Sequence, residues 1–160
     1  AQRARLCRTG NKEHQEQVGS EKMKRILLDT NIYGLIIELE DLEKLRELIR
    51  GSDIKIYGIN VVRKELRATP KGIVDGINLR LDLLRLYQEI TKNKELELDR
   101  KGIEIAENYY ITYKRLGGIT SKHKMNNDFI IVDSASLHNL DIVVSEDNST
   151  MLNEIAFTCL

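Results

Sequence analysis

The chain has 160 residues, 25 basic and 25 acidic, for a formal charge of zero; the balance excludes an overall positive field that draws nucleic acid, though not a local basic rim. That length suits one domain with a real core rather than two. No apolar run approaches the roughly 20 residues of a membrane span, the opening residues lack the apolar core of a secretory signal, and Cys7 and Cys159 form neither a ligand spacing nor a disulfide framework, so a reducing, cytoplasmic setting is expected.

Residues 1–22 are polar, mildly basic and without strong periodicity; they are expected to be a tail, a mis-called start or non-native residues, with a single domain over 23–160. Residues 24–29 read as a first strand. "NIYGLIIEL" and "DLEKLRELIR" read as two helices, the second closed by Gly51. "DIKIYGI" alternates and is short, which predicts a second strand, and "NVVRKELRAT" predicts a short helix that stops before Pro70. Helical spacing of Ile77, Leu81, Leu84 and Tyr87 predicts a helix over about residues 73–92. "ELEL" at 95–98 suits a short strand or an extended linker, and a helix capped by Asp99 runs to Gly117-Gly118. "ITSKHKMNN" reads as a basic loop, "DFIIVDSASLHN" as a helix, "DIVVS" as a strand, and "EDNSTMLNEI" as a turn with a last helix. Strands alternating with helices imply an α/β fold whose parallel sheet is covered on both faces.

Four acids stand out. Asp29 ends a buried strand and is followed by Thr30 and Asn31, at the edge where open α/β sheets bind ligands. Glu65 follows Val61 and Val62 by four and three residues, so it shares the apolar face of its helix. Asp128 precedes Ile131, Val132 and Ala135 by three, four and seven, again on the buried face. Asp147 follows "DIVVS" with Ser145 and Asn148 beside it, and would emerge with Asp29 if the two strands are parallel. Each has an ordinary role: a helix cap for Asp29 and Asp128, an ion pair for Glu65, a turn for Asp147. Taken together they suit one pocket. Clustered carboxylates repel unless a cation neutralises them, and hard oxygen ligands select Mg²⁺ or Mn²⁺, which suits phosphodiester hydrolysis. Asp133, roughly 140 degrees around the helix from Asp128, is expected to be a partner or a solvated acid outside that cluster. Lys122, His123 and Lys124 form a basic stretch before Asp128; its simplest reading is a solvated loop, and Lys122 and Lys124 are candidates for phosphate contacts. Tyr109, Tyr110 and Tyr113 are expected in the core or an interface.

Four motifs in order, "LLDTN", "VVRKEL", "NNDFIIVDSA" and "IVVSEDN", resemble those of the PIN-domain nucleases, including the VapC-type toxin ribonucleases of bacterial and archaeal toxin–antitoxin pairs. The resemblance covers roughly Met23 to Met151 and departs at Asp133, where the family usually has a small or apolar residue. It implies a three-layer α/β/α sandwich with a central, mainly parallel sheet, Mg²⁺ or Mn²⁺ dependence, and cleavage of RNA leaving a 5′-phosphate. It further implies a homodimer and an antitoxin partner. Carried onto this chain, Asp29, Glu65, Asp128 and Asp147 are the catalytic, metal-holding acids, with Thr30, Asn31 and Ser145 positioning carboxylates or phosphate. The competing expectations are a non-catalytic PIN-like RNA-binding or assembly module, and a stand-alone RNA-processing or DNA-acting nuclease.

Overall fold

Short β-branched runs pair edge to edge around the "RILL" segment, and the helices between them are long enough to return the chain to the same end of the sheet, as parallel neighbours require. The structure, a computed structural model, describes residues 22–39, 42–74 and 76–147. Along the chain these form β1 (Lys24–Leu28), α1 (Thr30–Glu38), α2 (Leu42–Gly51), β2 (Ile54–Ile59), α3 (Asn60–Ala68), β3 (Ile73–Val74), β4 (Ile77–Asn78), α4 (Leu79–Thr91), β5 (Glu95–Leu96), α5 (Arg100–Arg115), α6 (Lys122–Leu137) and β6 (Ile142–Val144). The main sheet has the order β5-β2-β1-β6, every pair parallel, with Ile26 opposite both Ile56 and Ile142.

That order places a switch point between β1 and β6. The chain leaves β1 toward β2 and β5, then returns across the sheet to β6. Right-handed crossovers therefore put α1 to α4 on one face and α5 and α6 on the other, giving the three-layer α/β/α sandwich. Lys122 at the start of α6 meets Glu107, while Asp133 near its end lies against Gly102, so α5 and α6 run antiparallel. Leu27, Ile59, Val62, Tyr113, Met125 and Ile131 lie in the core between the layers.

Two expectations about local structure are corrected. Residues 73–92 are not one helix: Gly76, at a φ of 80°, turns a two-strand antiparallel hairpin of β3 and β4, and α4 starts only after Asn78, whose side chain accepts from Leu81 N at 3.1 Å. Residues 122–127 are not loop but the first turns of α6, which are pinned by fully buried Met125. The final helix expected after Glu146, like residues 1–21 and Asn148, lies outside the described residues.

Candidate active site

β1 delivers Asp29 to the carboxyl edge of the sheet at the switch point, where an open α/β fold leaves a crevice. Its backbone N–H donates to Val144 O at 2.9 Å, extending the β1–β6 ladder by one residue. The side chain then caps α1: Oδ1 accepts from Thr30 N at 2.7 Å. Oδ2 accepts from Ser145 Oγ at 2.7 Å, and both residues are buried. The helix-cap reading of Asp29 therefore holds alongside its place in the cluster.

Ser145 ties a second acid to the first, because its Oγ also accepts from Asp147 N at 3.1 Å. One hydroxyl thus bridges the Asp29 carboxylate and the backbone of the β6 exit. Asn31 Oδ1 takes a long bond, 3.4 Å, from Glu146 N and holds that exit against α1.

Glu65 enters from α3, where buried Val62 and Leu66 fix the inward face of the helix. Thr30 Oγ1 donates to Glu65 Oε2, and Asn127 Nδ2 donates to Oε1 at 2.6 Å. The carboxylate is therefore held at both oxygens, by α1 on one side and α6 on the other. Asp128 is the next residue of α6 and is half-buried, with Ile131 and Ala135 of its face in the core.

Burial is the largest influence on Asp29 and pushes its carboxyl above the usual range; the bonds from Ser145 and Thr30 oppose this, and the charges of Glu65 and Asp147 add to the rise. Among the described residues, the charges acting on Asp29 are thus negative ones. The structure brings Asp29, Glu65 and Asp147 within electrostatic reach, and Asn127, the residue before Asp128, bonds Glu65. Among the described residues, no three or more His, Cys, Asp or Glu side chains stand close enough together to hold a metal ion as they are posed. The donor chemistry does fit Mg²⁺ or Mn²⁺, since every group is a hard carboxylate oxygen. Each Asp29 oxygen uses one acceptor position on the protein and keeps another.

Of the basic residues before Asp128, Lys122 is ion-paired with Glu107 of α5 and Lys124 is exposed on the first turn of α6. Asp133 stays out of the cluster, as expected, but it is not solvated. It is 3% exposed, packed against Gly102 beside Asp99, and burial raises its pKa, with Asp99 adding to the rise and Lys101 opposing it. Asn127 is the site residue that sequence reasoning missed. Its signal is its position next to Asp128 in "NNDFIIVDSA"; a loop gives that side chain no direction, and the first turns of α6 do.

A family model for the PIN domain matches residues 26–157 of the chain. A solved structure, described as FitAB bound to an IR36 DNA fragment, is similar over 82% of this chain and 90% of that one, with 19% identity and a TM-score of 0.53. At that identity the likeness is one of fold. No curated protein matches the chain.

Proposed function

The chain belongs to the PIN-domain family, whose members are typically nucleases, and from that footing we propose that it is a divalent-metal-dependent endoribonuclease acting through Asp29, Glu65, Asp128 and Asp147. What supports the reading most is the doubly held Glu65: Thr30 beside Asp29 and Asn127 beside Asp128 both bond its carboxylate, so one acid gathers the motifs of α1, α3 and α6. A merely structural glutamate at a helix edge would be expected to pair with a lysine or arginine instead.

In this mechanism Asp29, Asp128 and Asp147 would hold Mg²⁺ or Mn²⁺, with Glu65 holding the ion or orienting water. The ion, when bound, supplies Lewis-acid activation and neutralises charge on the scissile phosphate. Ser145 and the N-terminus of α1 keep Asp29 in one rotamer, and Asn31 fixes the Asp147 segment. Glu65 accepts the proton of the water that adds to phosphorus, and the P–O3′ bond breaks to leave a 5′-phosphate, the departing O3′ taking a proton from solvent to become the 3′-hydroxyl. Thr30 and Asn127 hold Glu65 for that transfer, so little reorganisation is needed during reaction. We read the chain further as the toxin of a toxin–antitoxin pair, working as a homodimer restrained by an antitoxin protein.

Hydrolysis of an end-labelled mixed RNA with Mn²⁺, with Mg²⁺ and with EDTA, beside Asp128→Asn, tests the reading. Metal-dependent cleavage with 5′-phosphate ends, lost in the variant, is the expected outcome. RNA bound but left intact by the wild type under every condition would favour a non-catalytic module, and cleavage surviving the substitution would place the chemistry elsewhere.

A further inference from the structure

A cavity of about 180 Å³ opens at the amino-terminal end of the sheet, the end opposite to the acids. β1 is five residues long, so this cavity lies about 16 Å from Asp29 at about 3.3 Å per strand residue. Ile54 of β2, Ile49 of α2 and Ile90 of α4 give it an apolar wall, and Lys55, Lys92 and Lys94 line it as well.

The lysines meet because α4 ends in a left-handed turn. Lys92 and Asn93 take φ values of 50° and 59°, Lys94 N returns to Thr91 O at 2.9 Å, and Lys94 O accepts from Gly58 N at 2.7 Å. The turn docks Lys94 onto β2, where Lys55 stands close enough for the two positive charges to act on each other. Incomplete hydration, foremost, together with Lys55 and Lys92, holds the Lys94 pKa below its ordinary value. None of the three lysines is ion-paired with a carboxylate among the described residues. Three cations crowded at one cavity repel one another, and an oxyanion would turn that repulsion into charge-assisted hydrogen bonds. Asp53, also in the lining, opposes an anion and tempers its affinity.

We propose that this cavity is a phosphate-binding site: Lys55, Lys92 and Lys94 take the phosphate oxygens, and the isoleucine wall covers the apolar part of the molecule that carries them. The phosphate comes either from a small phosphorylated molecule or from the backbone of an RNA strand. The site does not depend on the acid cluster being a nuclease centre.

Calorimetric titration of the full, metal-free chain in EDTA tests it, with inorganic phosphate, a nucleoside 5′-monophosphate and a short RNA oligonucleotide as probes. Saturable phosphate binding is expected in the wild type, weakened about tenfold or more by Lys55→Gln combined with Lys94→Gln. Asp53→Asn should tighten it, an opposite shift that a misfolded variant would not give. A gain confined to the mononucleotide identifies a small phosphorylated ligand, and a gain with the oligonucleotide, lost in the lysine variant, identifies the RNA backbone. No saturable binding, or binding unchanged by both variants, overturns the proposal.

Discussion

Ser145 Oγ donates to Asp29 Oδ2 at 2.7 Å across 116 positions of sequence, and this bond locks the exit of β6 to the exit of β1. Ser145→Ala leaves the backbone ladder intact but removes one of the two bonds that hold the Asp29 carboxylate, together with the bond from Asp147 N to the hydroxyl. Groups that orient a metal-binding residue are typically worth about 10–100-fold in metal affinity or activity. The variant should therefore need more Mn²⁺ for half-maximal cleavage, while its melting temperature falls only by the equivalent of about 1 kcal/mol. Cleavage rates across a Mn²⁺ series, beside a thermal melt, separate the two effects.

Asn127 does for Glu65 what Ser145 does for Asp29. Asn127→Ala should lower the cleavage rate about 10–100-fold with the fold retained. Asn127→Asp should do worse, because it sets a second negative charge where an amide donates at 2.6 Å. Single-turnover rates of both variants under saturating RNA check the order; an aspartate variant as active as wild type would remove Asn127 from the site.

Asp133 gives a pH-dependent prediction with a definite sign. Its folded pKa is raised above the ordinary aspartate value of 3.8, so the native state holds the proton more tightly than the unfolded chain does. Stability is then greatest below the unfolded pKa, falls as pH rises through the interval up to the folded pKa, and stays lower above it. Asp133→Asn mimics the protonated form and keeps the volume beside Gly102 and Asp99. It should melt higher than wild type at pH 7, with the gain shrinking as pH falls toward 3.8. Thermal unfolding of both proteins over pH 3.5 to 8 measures this, and a gain that grows with acid would contradict it.

Gly58 is a packing position. A Cβ there would stand 2.1 Å from Tyr87 Oη and 2.6 Å from Cζ, while Tyr87 Oη itself donates toward Glu95 Oε1 at 2.7 Å. Gly58→Ala should destabilise by about 1–3 kcal/mol, as overpacking does. Adding Tyr87→Phe removes the nearer atom but leaves the ring, so part of the loss should return in urea unfolding.

Asp29 and Glu65 were legible because each sat where local pattern already set its direction. Asp29 closes a strand, and Glu65 follows Val61 and Val62 at helical spacing, so both directions followed from period alone. α6 was harder. Its first turn is "KHKM", in which Met125 is the one apolar side chain, and Phe129, Ile130 and Ile131 are all buried in succession, so no single apolar stripe carries the helix expected from Asp128 back to Lys122. That misreading concealed Asn127. Angular position correctly separated Asp133 from Asp128, but no periodicity could tell that α5 would cover that second face. The β3–β4 hairpin was lost for a different reason: Ile77, Leu81 and Leu84 keep helical spacing across a turn that Gly76 makes.

Mn²⁺ binding by the metal-free chain tests most directly whether the four acids act as one site. The account predicts saturable binding by calorimetry that is weakened by each of Asp29→Asn, Glu65→Gln, Asp128→Asn and Asp147→Asn taken singly. Binding that none of the four substitutions alters, or no binding at all, would contradict it.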